Sequence, residues 1–126
     1  MVIDDAERAR QLVSGADLLD MHQPQRAGGK NQLHYLLRRT RAIEVPAAVL
    51  ESIAQIDGSV VLDRDSNLLA FGAILRHRPK MDSDEEIGEG GRTAAATGAS
   101  EFGDVLMVSE GGQLSFYRKG HCVWKL

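Results

Sequence analysis

Apolar residues recur every three or four positions through the first 56 residues, which is the period of an α-helix with one buried side. The pattern predicts a helix over residues 6–21, a second helix after an N-cap at Asn31, and a third with Pro46 in its first turn. The apolar face of the second helix is formed by Leu33, Leu36 and Leu37. No run typical of a strand occurs over residues 1–44, so we expect a helical N-terminal segment there.

After Asp57 the apolar residues fall instead into short runs separated by polar or glycine-containing turns. The runs at 60–62 and 68–75 predict a β-hairpin, and an alanine-rich segment at 93–102 predicts a helix. Glycines 111 and 112 form a tight turn within the last predicted group of strands, at 105–109, 113–118 and 121–124. The predicted fold is therefore α/β, of the α+β type: a mixed β-sheet flanked by helices, with its core over residues 45–126.

Composition and charge narrow the range of functions. The chain of 126 residues fits a single domain, and its formal net charge of −3 gives no overall attraction to DNA or to an anionic membrane. Cys122 is the single cysteine, which excludes an intramolecular disulfide and fits a reducing compartment. The apolar runs are far shorter than the roughly 20 residues that a membrane-spanning helix needs. We expect a cytoplasmic protein with neither a DNA nor a membrane partner.

The glycine-rich segment before the predicted helix at 93–102 is the first candidate for binding chemistry. Gly90 and Gly91 would let the backbone approach a phosphate, and a helix N-terminus offers N–H groups and a partial positive charge. Arg92 adds a cation that can bind a phosphate through two hydrogen bonds. The alternative is a loop end at which Thr93 only caps the helix.

Asp57, directly before Gly58 at the start of the predicted hairpin, is the second candidate. Its carboxylate could bind a divalent metal or accept a proton from a hydroxyl, or the Asp-Gly pair could simply make a turn. The basic triplet at 76–78 precedes Pro79 and is interpreted as part of a solvated loop. The histidines are scattered and there is one cysteine, so no zinc site is predicted.

Three motifs, taken in order, resemble the diadenylate cyclase (DAC) domain. In that family an Asp-Gly-Ala motif begins a strand, Gly-Thr-Arg-His-Arg-Ala-Ala leads into a helix, and a later strand ends in Val-Ser-Glu-Glu. The corresponding segments here are Ile-Asp-Gly-Ser at 56–59, Gly-Gly-Arg-Thr-Ala-Ala-Ala at 90–96 and Val-Ser-Glu-Gly-Gly at 108–112. The resemblance covers residues 46–120. It implies a nucleotide site formed by Asp57, Gly58, Ser59, Gly90, Gly91, Arg92, Thr93, Ser109 and Glu110.

The resemblance also implies how such a site would act. In DAC domains the Asp handles the metal and the attacking ribose hydroxyl, the Arg-His-Arg motif holds the triphosphate, and two subunits each bring one ATP to form cyclic di-AMP. Asp57 and Arg92 match two of these groups, whereas Thr93 and Ala94 replace the histidine and the second arginine. We expect impaired catalysis, because one donor in a comparable site contributes about 2.7–4 kcal/mol of transition-state stabilisation.

Three hypotheses remain open from the sequence. The preferred one is a nucleotide-binding signalling sensor, with ATP or a cyclic dinucleotide as ligand and a homo-oligomer as the form that the resemblance implies. The second is an active diadenylate cyclase that uses Asp57 with Mg²⁺ or Mn²⁺. The third is a protein-interaction module with a vestigial nucleotide pocket, whose helices at 6–21 and 31–41 contact the partner.

Overall fold

One mixed β-sheet organises the computed structural model, which describes residues 1–4, 6–15, 17–19, 29–76, 90–109 and 111–126. The strands are β1 (Val2–Ile3), β2 (Ser59–Asp63), β3 (Leu68–Ala73), β4 (Gly103–Val108), β5 (Leu114–Arg118) and β6 (His121–Lys125). The helices in these residues are α1 (Ala6–Leu12), α2 (Gly29–Leu37), α3 (Ala47–Ala54) and α4 (Gly91–Ala99), with a short 3-10 turn at Ala42–Glu44.

The strands lie in the order β3-β2-β1-β4-β5-β6. Strand β1 runs parallel to β2, and the other neighbouring pairs are antiparallel. The α+β class, the mixed sheet, the hairpin β2–β3 and the three-stranded meander β4–β5–β6 are therefore confirmed. The predicted tight turn between β4 and β5 is also present, with Gly112 at φ 80° and its N–H donating to the carbonyl of Ser109 at 3.0 Å.

The expectation that residues 1–44 contain no strand is wrong, because β1 lies in the middle of the sheet. Val2 pairs with Leu62 on one side and with Asp104 on the other. A run of two strand residues is too short for a period of two to be visible, so the strand conformation depends on these distant partners. The Met1 ammonium donates to the carbonyl of Val60 at 2.8 Å, and burial lowers its pKa.

The helices also differ from the predictions in their extent. The first ends at Leu12 and does not reach residue 21, because the chain turns so that Leu18 forms a β-bridge with Ala70. The second begins at Gly29, which places Asn31 inside the helix, away from the N-cap position. Leu36, predicted on the buried face of the second helix, is 73% exposed. The third helix agrees with the prediction to within one residue, since Pro46 is its N-cap.

Two apolar clusters cover opposite faces of the sheet. On the first face, α1 and α4 pack against alternate residues such as Ile3, Val61 and Val105. On the second face, α2 and α3 pack against β2 and β3, where Phe71 is fully buried. None of the helices in the described part of the chain combines the length and apolar content needed to cross a membrane.

Candidate functional site

The Asp57-Gly58 pair lies between the end of α3 and the start of β2. The Asp57 side chain is 90% exposed. Gly58 adopts φ +112°, and a Cβ placed there would lie 2.6 Å from the carbonyl carbon of Gly72 and 2.8 Å from the amide nitrogen of Ala73. The backbone of β3 therefore requires glycine at position 58. The turn interpretation of this pair has a structural basis, and it leaves the Asp57 carboxylate directed to solvent.

Gly72 is the residue that the sequence reasoning missed here. It lies inside β3 at φ 56°, opposite the bend at Gly58, and the register of β2 against β3 is irregular at this end. An isolated glycine inside a strand pattern commonly marks a bulge or a close approach of two backbones. That signal was present in the run at 68–75, so Gly72 could have been found from the sequence.

The glycine-rich segment forms the start of α4. Gly90 is the N-cap residue and, having no side chain, makes no side-chain capping hydrogen bond. The N–H groups of Thr93 and Ala94 both donate to the Gly90 carbonyl, at 2.8 and 3.3 Å. The alternative in which Thr93 caps the helix is therefore wrong, because Thr93 is already inside the first turn. A Cβ added at Gly90 or Gly91 would meet no atom within 4 Å, so packing does not require either glycine.

Asp57 and Arg92 meet in space although their motifs are far apart in the sequence. The Arg92 guanidinium nitrogen Nη2 lies 4.0 Å from Asp57 Oδ1, with the two side chains 59% and 90% exposed. An ion pair this exposed and this long contributes little to stability, since exposed pairs are screened by water and salt. Its value is geometric: it places a cation and a carboxylate side by side at the start of α4.

Ser59 and Ser109 lie at the same end of the sheet. Strand β1 separates β2 from β4, so these residues are about two strand spacings, or roughly 9–10 Å, apart across the sheet. Ser109 is engaged in the β4–β5 turn, where its Oγ accepts from the amide of Gln113 at 3.0 Å. Glu110 lies outside the described residues. The structure thus brings Asp57 and Arg92 together. Ser109 lies at the same end of the sheet, where it stabilises the turn between β4 and β5.

The described residues at this end of the sheet could hold a divalent metal only together with a bound nucleotide. Asp57 is the carboxylate that pairs with Arg92 at 4.0 Å, and the described residues contain no cluster of three or more His, Cys, Asp or Glu side chains. Mg²⁺ is commonly bound through one or two carboxylates together with substrate phosphates and water. The donor set therefore fits an Mg²⁺ or Mn²⁺ ion that a nucleotide brings, with Asp57 as its protein ligand.

Comparison with known proteins adds no family to these observations. No protein-family model matches this chain, and no curated protein is significantly similar to it in sequence.

Proposed function

We propose that this chain is a nucleotide-binding sensor domain related to the diadenylate cyclases and impaired in catalysis. The phosphates of an ATP or cyclic dinucleotide ligand would lie at the N-terminal end of α4. Arg92 would supply the cation and Gly91 a backbone donor. Thr93 is a poorer donor, because its N–H already donates to Gly90.

The observation that carries this proposal is the meeting of Asp57 and Arg92 at a helix start whose N-cap residue is a glycine. The resemblance required these two motifs to face the same ligand, and nothing in their sequence separation makes them neighbours. Their contact at 4.0 Å is what a shared site needs. The two glycines before Arg92 support the same interpretation, since they leave open space where a phosphate could approach the backbone.

Impaired catalysis follows from the residues in the first turn of α4. Thr93 and Ala94 are half-buried helix residues at the positions of the motif's histidine and second arginine. Neither can carry a positive charge toward a triphosphate. At about 2.7–4 kcal/mol for each lost donor, the rate of cyclisation would fall by roughly ten-thousandfold or more.

A thermal-shift panel tests the proposal. The ligands are ATP, cyclic di-AMP, other cyclic dinucleotides and ADP-ribose, each with and without Mn²⁺. A ligand at 100 times its Kd stabilises the folded state by about 2.7 kcal/mol, which raises the Tm by roughly 10 °C for a chain of this size. Arg92→Ala should abolish the shift. Arg64→Ala is the matched control, because Arg64 also pairs with an exposed aspartate, Asp4, but at the opposite end of β2.

Gly91→Ala separates ligand binding from folding. The added methyl meets no protein atom, so the ligand-free variant should be as stable as the native chain or more so. The same methyl would occupy the space that a phosphate needs, and the ligand-induced shift should be lost. A shift that survives both Gly91→Ala and Arg92→Ala would place the ligand elsewhere. Stability unaffected by every nucleotide would refute the sensor and leave the interaction module.

Catalysis is assayed in parallel. Native chain incubated with ATP and Mn²⁺ should release no more cyclic di-AMP than the Asp57→Asn variant. Product formed by the native chain and lost in Asp57→Asn would show an active cyclase and contradict the impairment.

A further inference from the structure

The second face of the sheet is only half covered by the described helices. Helices α2 and α3 contact β2 and β3, and the apolar cluster on that side includes Val60 and Leu62 of β2. Val2 pairs with Leu62 and with Asp104, so Val2 and Asp104 lie on this same face. Strands β1, β4, β5 and β6 continue the face beyond the helices.

Six apolar side chains make up the uncovered part of β4 to β6, which we call the open sheet face. In register, Leu106 pairs with Phe116 and Phe116 with Trp124, and Val108 pairs with Leu114. Leu114 and Leu126 exchange two backbone hydrogen bonds of 3.1 and 2.8 Å, which extends the second row. The open sheet face is therefore two apolar rows across three strands: Leu106, Phe116 and Trp124, then Val108, Leu114 and Leu126.

The exposed apolar residues on this side of the sheet form one patch. Val2, Leu106, Val108, Trp124 and Leu126 are 38, 53, 58, 40 and 79% exposed. Applied to whole residues, backbone atoms included, these fractions amount to about 500 Å² of accessible surface, within the range of the largest patch on a monomer. Two such surfaces in full contact would bury at most about 1,000 Å², the lower limit for a specific protein interface.

A charged pair at one end of the open sheet face suggests what covers it. Asp104 and Arg118 are neighbours on β4 and β5, on the same face as the apolar rows. Arg118 donates two hydrogen bonds to Asp104, at 2.7 and 2.6 Å, and lies 5.2 Å from the centre of the Phe116 ring. A surface with a cation and an anion side by side is complementary to a second copy of itself about a two-fold axis between the two residues.

We propose that the open sheet face binds a second copy of this chain, in a two-fold dimer whose axis runs between β4 and β5, parallel to the strands. The described helices leave four strands of this face uncovered, β1, β4, β5 and β6, and this axis passes through the middle of the four. Asp104 of each copy then lies opposite Arg118 of the other, Leu106 lies opposite Phe116, and β6 lies opposite β1. The proposal does not depend on nucleotide binding.

The helix layer is compatible with this packing. Facing sheets pack about 10 Å apart, close to the diameter of a helix, so the second sheet would lie at the level of α2 and α3. Those helices cover β2 and β3 and leave β1 open, so β6 of the second copy would lie over β1 beside them. Helices α2 and α3 of the two copies would then flank the interface, one pair on each side.

A single-stranded nucleic acid is a less suitable occupant. Lys119 lies just before β6 and Lys125 is its last residue, and exposed aromatic rings on a sheet can stack with bases. Here, however, the Phe116 and Trp124 rings stack on each other at 5.6 Å, with Arg118 over Phe116. The other four side chains of the open sheet face are aliphatic, which favours a protein surface.

Sedimentation velocity on the native chain, from low-micromolar to several hundred micromolar, is the first test. An interface near the lower size limit should give a monomer–dimer equilibrium within that range. Trp124 is the single tryptophan, so its fluorescence emission should move to shorter wavelength as the dimer forms. Leu106→Lys should abolish both changes. Ile74→Lys is the matched control, because Ile74 is 67% exposed directly after β3, at the opposite edge of the sheet.

A charge exchange tests the position of the axis. The double variant Asp104→Arg/Arg118→Asp keeps its own ion pair and should dimerise with itself. Mixed with the native chain it should form few heterodimers, because like charges would then face each other twice. Heterodimers that form as readily as homodimers would refute this position of the axis. A monomer at every concentration, association that needs an added oligonucleotide, or a dimer insensitive to Leu106→Lys and cross-linked through Cys122 on the edge strand β6 would overturn the proposal.

Discussion

Replacement of Gly58 by alanine should destabilise the protein strongly, although position 58 is exposed and next to a proposed ligand site. The new methyl would lie 2.6 Å from the Gly72 carbonyl carbon, 2.8 Å from the Ala73 amide nitrogen and 3.0 Å from the Ala73 carbonyl oxygen. All three are backbone atoms of β3, so no side-chain rotation relieves the contact. The φ of +112° adds strain for any residue with a Cβ.

The expected loss is about 2–4 kcal/mol, from about 1–3 kcal/mol of backbone strain together with displacement of the β3 backbone. Urea denaturation measures it directly. With a slope of about 2 kcal/mol per molar urea, the midpoint should fall by about 1–2 M. The total stability of a domain of this size is about 6–15 kcal/mol, so the variant should still fold.

Gly91→Ala is the matched comparison, since its methyl meets nothing within 4 Å and α4 gains a better helix former. Its midpoint should rise or stay constant, with a gain of at most about 1 kcal/mol. If Gly58→Ala unfolds within about 0.5 kcal/mol of the native chain, a range typical of neutral surface changes, the requirement for glycine by the β3 backbone is refuted. The Asp-Gly pair would then be explained by ligand binding alone.

Three further predictions concern the sheet and its contacts. Gly103→Ala should lower the urea midpoint at least as much as Gly58→Ala, because its Cβ would lie 2.7 Å from the Ile3 Cα and would collide with the Val2 carbonyl oxygen. Ser100→Ala should cost about 1–3 kcal/mol in the same assay, since the buried Gly120 N–H now donates to Ser100 Oγ at 2.9 Å and would lose its acceptor. The hydrogen bond and charge of Arg118 lower the pKa of Asp104 below 3.8, so this carboxylate stabilises the folded state above that pH. The small Tm difference between native chain and Asp104→Asn should therefore persist at neutral pH and disappear as the pH falls through the lowered pKa; a constant difference down to strongly acidic pH would contradict this.

Local signals were sufficient to predict most of the elements. The β2–β3 hairpin, the β4–β5–β6 meander, α3 and α4 are each specified by a change of apolar period or by turn residues within a few positions. The predictions that were wrong concern features that depend on residues far away in the sequence. The strand conformation of Val2 and Ile3 depends on pairing with β2 and β4, and the exposure of Leu36 depends on which side of α2 faces β3.

At the candidate site, too, the features that the motifs indicated differ from those that depend on other parts of the structure. The motif order led us to expect Asp57 and Arg92 in one site, and their side chains lie 4.0 Å apart. The need for glycine at 58, in contrast, comes from Gly72 and Ala73 on the opposite strand. The engagement of Ser109 in its own turn also depended on Gln113, four residues away, and could not be inferred from the motif.

The short strand β1 has a consequence for the order of folding. The hairpin β2–β3 and the meander β4–β5–β6 can each form from neighbouring residues, but β1 alone lies between them in the sheet. Its two residues must find partners at positions 62–63 and 103–104, so joining the two halves closes loops of roughly sixty and a hundred residues. Long-range closure of this kind slows folding. We therefore expect the two halves to gain hydrogen-exchange protection first and the sheet to become continuous last, when Val2 and Ile3 insert between them.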